Sequence, residues 1–336
     1  MVKPGRQRRF VVCRAVCAGA GASQFRAAQL HGGPLMTLCI LCPGQGSQTV
    51  DMLPRLLAEP LIAPHLEPLL AAMPFDAMAV SQNSELCFAN AHAQPLIVAA
   101  GAAVANALKA QGKHANLSAG YSIGELTAHV VAGSVQALNG VDLAVKRAQC
   151  MDRAAPAAYG MMAVKGVRID KLNALAQEHG LAVAIVNDEQ HAVLAGPTAV
   201  MKFICKGMER ELGAHVVHLN VQVPSHTPWL KDASAEFKSA LEAASWHGFN
   251  CPVLSALDGS PVERRDGAID CLARQISEPL QWARTLDLAA EMGATVYFEV
   301  GPGNTLTRMV RERFPNVQAR SLSEFQTFEG ALNWLT

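Results

Sequence analysis

The stretch LSAGYSIGEL, residues 117–126, decides the fold class of this 336-residue chain. LSAG is typical of a short buried strand, and residues 123–132 are typical of a helix. Between them, Gly120-Tyr121-Ser122-Ile123-Gly124 matches G-x-S-x-G, a sharp strand-to-helix turn that exposes a serine hydroxyl at the start of the helix. This turn predicts an α/β fold and makes Ser122 a candidate nucleophile.

Strands and helices alternate on both sides of this turn, which is typical of an α/β domain with a mainly parallel sheet. We therefore predict a large α/β-hydrolase-like domain with a parallel sheet. Its predicted strands are 37–42, 117–120, 252–257 and 295–300, and its predicted helices are 94–110, 123–132, 141–154, 228–244, 283–292 and 304–313.

Residues 159–222 have a different order of elements. We predict a strand at 161–167, a helix at 170–179, a hairpin of strands 182–187 and 192–196, a helix at 198–211 and a strand at 215–219. The order βαββαβ is that of a ferredoxin-like unit. The sequence thus predicts a small ferredoxin-like subdomain at 159–222, inserted into a large domain formed by 36–158 and 223–336.

Residues 1–35 are rich in Arg, Ala and Gly and contain no acidic residue. A transit peptide and a secretory signal interrupted by Arg14 are two interpretations. We favour a disordered N-terminal extension, because a clear strand pattern begins directly after Met36. Six Lys and Arg residues precede the first acidic residue, Asp51, in a chain of net charge zero. The rest of the chain is therefore mildly acidic, which argues against nucleic-acid binding through phosphate contacts.

Composition narrows the class of protein further. Half of the residues are hydrophobic and 17% are charged, enough for a large buried core. The longest apolar run, near 96–108, is shorter than the roughly 20 residues of a membrane-spanning helix. Nine scattered cysteines without zinc-site spacing predict no metal and a reducing, cytoplasmic location. Cys39 and Cys42 form C-x-x-C inside an apolar run and are expected to be buried thiols.

Ser122 also has a structural interpretation, and its candidate base has to be chosen among the histidines. Ser122 and Glu125 also fit a helix capping box, a purely structural role. Of eleven histidines, His226 stands out, because it follows a strand in the Pro-bracketed turn VQVPSHTPWL. His129 lies on the helix after the turn and is expected to be structural. Loops at strand ends concentrate catalytic groups in α/β folds, so His226 is the preferred base.

Three further features have structural as well as functional interpretations. The loop PGQGSQ, 43–48, lacks the lysine of a phosphate-binding loop, but Gln45 can present its N–H to an oxyanion. The turn 301–304 is expected to be a tight β–α turn with Asn304 as helix N-cap. Arg147 is either a solvated or capping residue or a clamp for a substrate carboxylate.

Five ordered motifs resemble the malonyl-CoA:acyl-carrier-protein transacylase family. They are PGQGSQ at 43–48, GYSIGEL at 120–126, VPSH at 223–226, QISEPLQW at 275–282 and FEVGPGNTL at 298–306. The resemblance covers 37 to about 322 and is closest to the malonate decarboxylase epsilon subunit. Tyr121 departs from the histidine usual in the family, and this departure weakens assignment to the fatty-acid enzyme.

The resemblance implies a role for each matching position. Ser122 would be the nucleophile, His226 its base, and Gln281 the residue that orients the histidine. The remaining implied groups are the oxyanion-hole N–H groups of Gln45 and Ile123, and Arg147 as partner of the malonyl carboxylate. No metal and no permanently bound cofactor are implied.

The implied activity is malonyl transfer from malonyl-CoA to the thiol of an acyl carrier protein, or of the malonate decarboxylase carrier subunit, through a malonyl-serine. Alternatives are the housekeeping transacylase of fatty-acid synthesis, a serine hydrolase and a non-catalytic carrier-docking protein. No membrane or nucleic-acid partner is implied. An acidic body would meet its acidic partners through local basic residues, for which we name Arg147, Arg308, Arg311 and Arg313.

Overall fold

The computed structural model describes residues 36–336, so the predictions for 1–35 lie outside the described residues. The strands are β1 (Leu38–Cys42), β2 (Leu117–Gly120), β3 (Tyr159–Lys165), β4 (Ala182–Asp188), β5 (His191–Pro197), β6 (His215–His218), β7 (Val253–Leu254), β8 (Pro261–Val262), β9 (Leu280–Gln281), β10 (Val296–Glu299) and β11 (Gln318–Ser321). The helices are α1 (Met52–Leu57), α2 (Ala63–Ala71), α3 (Ala77–Ser81), α4 (Asn90–Ala110), α5 (Gly124–Val131), α6 (Ala137–Ala154), α7 (Ile169–Glu178), α8 (Thr198–Leu212), α9 (Lys231–Ala243), α10 (Arg265–Arg274), α11 (Trp282–Glu291), α12 (Thr305–Arg313) and α13 (Phe328–Trp334). Short 3₁₀ turns lie at Leu86–Phe88, Pro228–Leu230 and Leu322–Glu324.

The larger sheet has six strands in the order β11-β10-β1-β2-β7-β8. Its pairs are parallel except β7–β8. Every residue of β1 is buried, which explains its continuous apolar sequence, because a central parallel strand is covered on both faces. The register pairs Cys42 with Gly120, so the loop after β1 and the turn after β2 leave the sheet side by side. The predicted α/β fold with a parallel sheet is confirmed.

Helix α4 is the central helix of the core. It has 21 residues and begins four residues before the predicted start. By length and composition it is the single helix of residues 36–336 able to cross a membrane, yet 83% of its most apolar 18-residue window is buried. It packs against α2, α5 and α6, which explains why it is apolar on all sides.

The smaller sheet has five strands in the order β6-β3-β5-β4-β9. Its first four strands, with α7 and α8, follow the chain order βαββαβ predicted for 159–222. These strands pair antiparallel, whereas β9 joins β4 in parallel. Because β9 lies beyond residue 223, the sheet is completed by the large-domain segment, and a separate subdomain stays a prediction.

Candidate active site

The turn between β2 and α5 is as tight as its two glycines predict. A Cβ added to Gly120 would lie 2.1 Å from Glu125 N, and one added to Gly124 would lie 2.1 Å from Cys42 O. Neither position therefore tolerates a side chain. Between them, Ser122 has a φ of 56°, a conformation that costs a residue other than glycine about 1–3 kcal/mol. The strained turn holds the Ser122 side chain, which remains partly exposed.

The alternative capping box at this turn is wrong. Helix α5 has no side-chain hydrogen bond at its N-cap. The Glu125 carboxylate instead accepts hydrogen bonds from Ala256 N at 3.0 Å and from Gln275 Nε2 at 3.2 Å. The Ser122 hydroxyl is consequently not used as a cap.

His226 lies within hydrogen-bonding distance of the candidate nucleophile. Its Nε2 is 2.8 Å from Ser122 Oγ, and its Nδ1 is hydrogen bonded to the main-chain carbonyl of Gln275. The backbone N–H of His226 donates to Ile276 O at 2.8 Å. Because a carbonyl can only accept, Nδ1 carries the proton and Nε2 is left to accept the serine proton. The residues that form this pair, Ser122 and His226, are the ones predicted.

The predicted role of Gln281 is wrong. Gln281 lies in β9 and its backbone N–H donates to Ala256 O at 2.8 Å, whereas the group that orients His226 is the carbonyl of Gln275. Helix α10 ends at Arg274, and the turn that follows presents the carbonyls of Gln275 and Ile276 to the histidine. Gln275 and Gln281 both lie in the motif QISEPLQW, and the orienting group belongs to Gln275.

Burial controls the protonation state of His226. Desolvation and, secondarily, the positive charge of Arg147 lower its pKa to about 3, while the hydrogen bond to Gln275 opposes this shift. The imidazole is therefore neutral at neutral pH, as a base must be before it takes a proton. Like Ser122, His226 has a positive φ, of 64°.

Arg147 is buried, so the solvated-residue interpretation is wrong. Its side chain is 1% exposed. Nη1 donates to Gln94 Oε1 at 2.8 Å and Nη2 donates to Gln275 Oε1 at 3.3 Å. Burial lowers its pKa to about 10 and Glu125 opposes the shift, so the guanidinium stays charged at neutral pH. Its buried Nε has no hydrogen-bond partner among the described residues.

The loop 43–48 lies against the Ser122 turn. A Cβ added to Gly44 would lie 2.6 Å from Tyr121 O and 3.5 Å from Ser122 Cβ. The Gln48 side chain folds the loop, accepting from Gly46 N at 2.7 Å and donating to Cys87 O at 3.2 Å. Gln45 follows Gly44 in this loop, and Ile123 follows Ser122 at the N-cap of α5. Their oxyanion role stays a prediction.

The side chains of Tyr121 and His129 form their hydrogen bonds with residues other than Ser122 and His226. The Tyr121 hydroxyl donates to Asn187 Oδ1 at 3.1 Å, and its ring packs edge-on against Trp282. His129 is buried, with Nδ1 3.0 Å from Ser134 Oγ, as expected for a structural histidine.

Of the four basic residues expected to meet acidic partners, three are already engaged. Arg147 is buried, Arg311 pairs with Glu324 at 2.8 Å, and Arg313 pairs with Asp287 at 2.6 Å. Arg308 is exposed and has no ion pair within residues 36–336.

Within the same residues, no group of three His, Cys, Asp or Glu side chains is arranged to hold a metal ion.

The chain is similar over most of its length to known proteins. A family model described as an acyl transferase domain matches residues 40–325. The malonyl CoA-acyl carrier protein transacylase of Escherichia coli strain K12 is 29% identical over 299 residues, covering 86% of this chain and 97% of that protein. The enzyme of the same name from Haemophilus influenzae is 30% identical over 310 residues, with 87% and 97% covered.

A solved structure shares the fold over nearly the same length. The malonyl-CoA:acyl carrier protein transacylase of Xanthomonas oryzae pv. oryzae superposes with a TM-score of 0.82 and 32% identity, covering 89% of this chain and 98% of that one. Sequence and structure comparisons therefore agree with the predicted family. The chain belongs to the acyl transferase domain family and is an acyltransferase.

Proposed function

We propose that this protein transfers a malonyl group from malonyl-CoA to the prosthetic-group thiol of an acyl carrier protein, through a malonyl ester on Ser122. One observation carries the proposal. A serine–histidine pair with a Ser122 Oγ to His226 Nε2 distance of 2.8 Å shares a hydrogen-bonded cluster with the buried, charged Arg147. The relatives named above, called malonyl CoA-acyl carrier protein transacylases, support the same substrates.

In the first half-reaction, His226 takes the Ser122 proton as Oγ attacks the thioester carbonyl. The Gln275 carbonyl stabilises the imidazolium that forms, because it accepts a hydrogen bond from the Nδ1–H group. The N–H groups of Gln45 and Ile123 would bind the oxyanion. The carbon–sulfur bond then breaks, His226 returns its proton to the leaving thiolate, and malonyl-Ser122 remains.

Arg147 would select the malonyl group by its free carboxylate. A guanidinium has five N–H donors in a planar fork that matches a carboxylate. Gln94 and Gln275 each accept one of them. Three donors therefore remain, among them the buried Nε–H, and they can bind a carboxylate in a bidentate manner.

In the second half-reaction, the carrier thiol attacks the ester of malonyl-Ser122 while His226 accepts the thiol proton. The tetrahedral intermediate again places its oxyanion at the Gln45 and Ile123 N–H groups. Collapse breaks the ester bond, and His226 returns the proton to Ser122 Oγ. Neither half-reaction consumes a redox cofactor, and malonyl-CoA enters as substrate.

The similar relatives support the transacylase of fatty-acid synthesis over the malonate decarboxylase epsilon subunit. One observation favours the decarboxylase alternative, namely Tyr121 in place of the histidine usual in the family. Purified carriers separate the two. We expect malonyl-enzyme to charge a fatty-acid carrier faster than a malonate decarboxylase carrier subunit, and the reverse preference would favour the decarboxylase.

We also propose that the enzyme works in the cytoplasm. All seven cysteines within residues 36–336 are free thiols, as a reducing compartment requires. Cys39 and Cys42 both lie in the buried β1, and burial raises their pKa values, which supports buried thiols over a redox pair.

Incubation with isotope-labelled malonyl-CoA, followed by peptide mass mapping, tests the proposed function. The labelled malonyl group is expected on the Ser122 peptide, to be absent in Ser122→Ala, and to leave when a carrier thiol is added. An unlabelled Ser122 in the wild-type enzyme would refute the mechanism. Steady release of free malonate without carrier would instead identify a hydrolase. If the Ser122→Ala variant keeps its full measurable function, the protein is a carrier-docking protein and not a transferase.

A further inference from the structure

Gln275 joins the candidate base to the candidate carboxylate clamp. Its main-chain carbonyl is hydrogen bonded to His226 Nδ1. Its side-chain Oε1 accepts from Arg147 Nη2 at 3.3 Å, and its Nε2 donates to Glu125 Oε2 at 3.2 Å. All four residues are at most 1% exposed, so water does not replace any of these contacts.

Glu125 decides which way the Gln275 amide points. An amide side chain carries an acceptor on one side and donors on the other. Glu125 Oε2 already accepts the backbone N–H of Ala256 at 3.0 Å and presents a second acceptor site to Gln275. Nε2 must therefore face Glu125, which leaves Oε1 to face Arg147. With the amide reversed, its N–H groups would meet the N–H groups of Arg147, and the guanidinium would lose a buried partner.

We propose that Glu125 is a positioning residue. By fixing the Gln275 amide, it holds Arg147 in the orientation that binds the acyl carboxylate, and so sets the preference for malonyl over uncharged acyl groups. This inference rests on the proposed function. It gives a role to a carboxylate that lies three residues after the nucleophile and does not face the helix N-cap.

The electrostatics of Glu125 suit this role. Burial raises its pKa to about 8, although the hydrogen bond from Ala256 and the charge of Arg147 oppose the shift. At pH 7 the group is mostly protonated and does not compete with a substrate carboxylate for Arg147. Its Oε1, which has no partner among the described residues, is the oxygen left to carry that proton. Glutamine is then a close mimic of the residue as it exists at pH 7.

The test compares the kcat/KM values for malonyl-CoA and acetyl-CoA in full-length Glu125→Ala, Glu125→Gln and Gln275→Met enzymes. We expect the malonyl-to-acetyl ratio to fall at least about tenfold in Glu125→Ala, the worth of one hydrogen bond to a charged group. In Glu125→Gln the ratio should stay within about threefold of wild type, because Oε1 of the new side chain can accept both N–H groups. The matched control is Glu299→Gln, a buried carboxylate outside the site, with an unchanged ratio.

Gln275→Met keeps the main-chain carbonyl for His226 and removes both side-chain hydrogen bonds, so it should also lower the ratio. If Glu125→Ala does not fold, Gln275→Met still tests the inference. A wild-type ratio in a folded Glu125→Ala or Gln275→Met enzyme overturns the inference, as does an equal loss with both substrates. An enzyme that forms no malonyl-Ser122 refutes the proposed function instead.

Discussion

Two turns join buried strands of the larger sheet to helices, and they differ in whether a side chain binds the first N–H groups of the helix. After β10, the N–H groups of Leu306 and Thr307 donate to the Glu299 carboxylate at 3.3 Å and 2.8 Å. Asn304 is the N-cap residue as predicted, but its side chain donates to Glu324 and does not cap. After β2, α5 has no side-chain cap at all.

The difference separates a structural turn from a reactive one. At residues 301–304 the protein uses its own carboxylate to bind the donors and positive dipole of a helix. At residues 120–124 no side chain caps the helix, the N–H groups of Gly124 and Glu125 donate to main-chain carbonyls at 3.0 Å, and Ser122 is held in a strained conformation. Glu125, the carboxylate nearest in sequence, turns away to Ala256 and Gln275. The turn after β10 is stabilised by the Glu299 carboxylate, whereas the turn at Ser122 has no side-chain cap and contains a strained residue.

Ser122→Gly is the test of this comparison with the largest expected effect. Removal of the hydroxyl should lower malonyl transfer at least about 1,000-fold, because the nucleophile is lost. Glycine accepts a φ of 56° without strain, so the free energy of unfolding should rise by about 1 kcal/mol. Transfer assays and urea unfolding measure the two effects. Retained transfer, or a clear loss of stability, would contradict the interpretation of this turn.

Arg147→Met tests whether the charge beside the reactive turn selects the acyl group. We expect the malonyl-to-acetyl ratio of kcat/KM to fall about 30-fold or more, because the partner of a buried carboxylate is lost. The methionine keeps much of the side-chain volume inside the core. An unchanged ratio in a folded variant would show that Arg147 is only structural.

Glu299→Ala tests the structural turn. Two helix N–H groups and the Thr307 hydroxyl, which donates at 2.7 Å, would lose their buried acceptor. The free energy of unfolding should fall by about 3 kcal/mol. The malonyl-to-acetyl ratio should not change, and urea unfolding together with acyl-transfer assays checks both statements. A changed ratio would mean that the two turns are not independent.

The pH dependence of stability tests the protonation of the buried Glu125. Burial raises the pKa of Glu125 to about 8, above its ordinary value of 4.5, so the folded protein holds a proton that the unfolded chain has released. Stability from this group is complete below pH 4.5 and is lost as pH rises to about 8, by roughly 1 kcal/mol per pH unit. Glu125→Gln should lose less stability than wild type between pH 5 and pH 8 in urea unfolding. Equal losses would contradict the raised pKa.

The reactive turn was predictable because its information is local. Gly120, Ser122 and Gly124 lie within five residues, and the flanking strand and helix have clear patterns. The role of Gln275 was not predictable, because a main-chain carbonyl carries no residue signature. Glu125 was interpreted as a cap, since its true partners lie more than 130 residues away in sequence.

The same distinction holds for the fold. Buried β1 and the helix α4 follow from apolar runs, and the βαββαβ order of 159–222 follows from alternating patterns. Strand β9 has two residues and α3 has five, too short for any period to appear. Such elements depend on partners contributed by distant parts of the chain.

The short β9 limits how this enzyme can be recombined with its relatives. Ile185 and Val186 of β4 pair with Leu280 and Gln281, while the Gln281 N–H also donates to Ala256 O. A cassette cut at residues 158 and 223 therefore carries one side of an interface whose other side stays behind. We expect chimaeras made at these boundaries to fold well when the donor also brings its own 275–282 segment, and poorly when it does not.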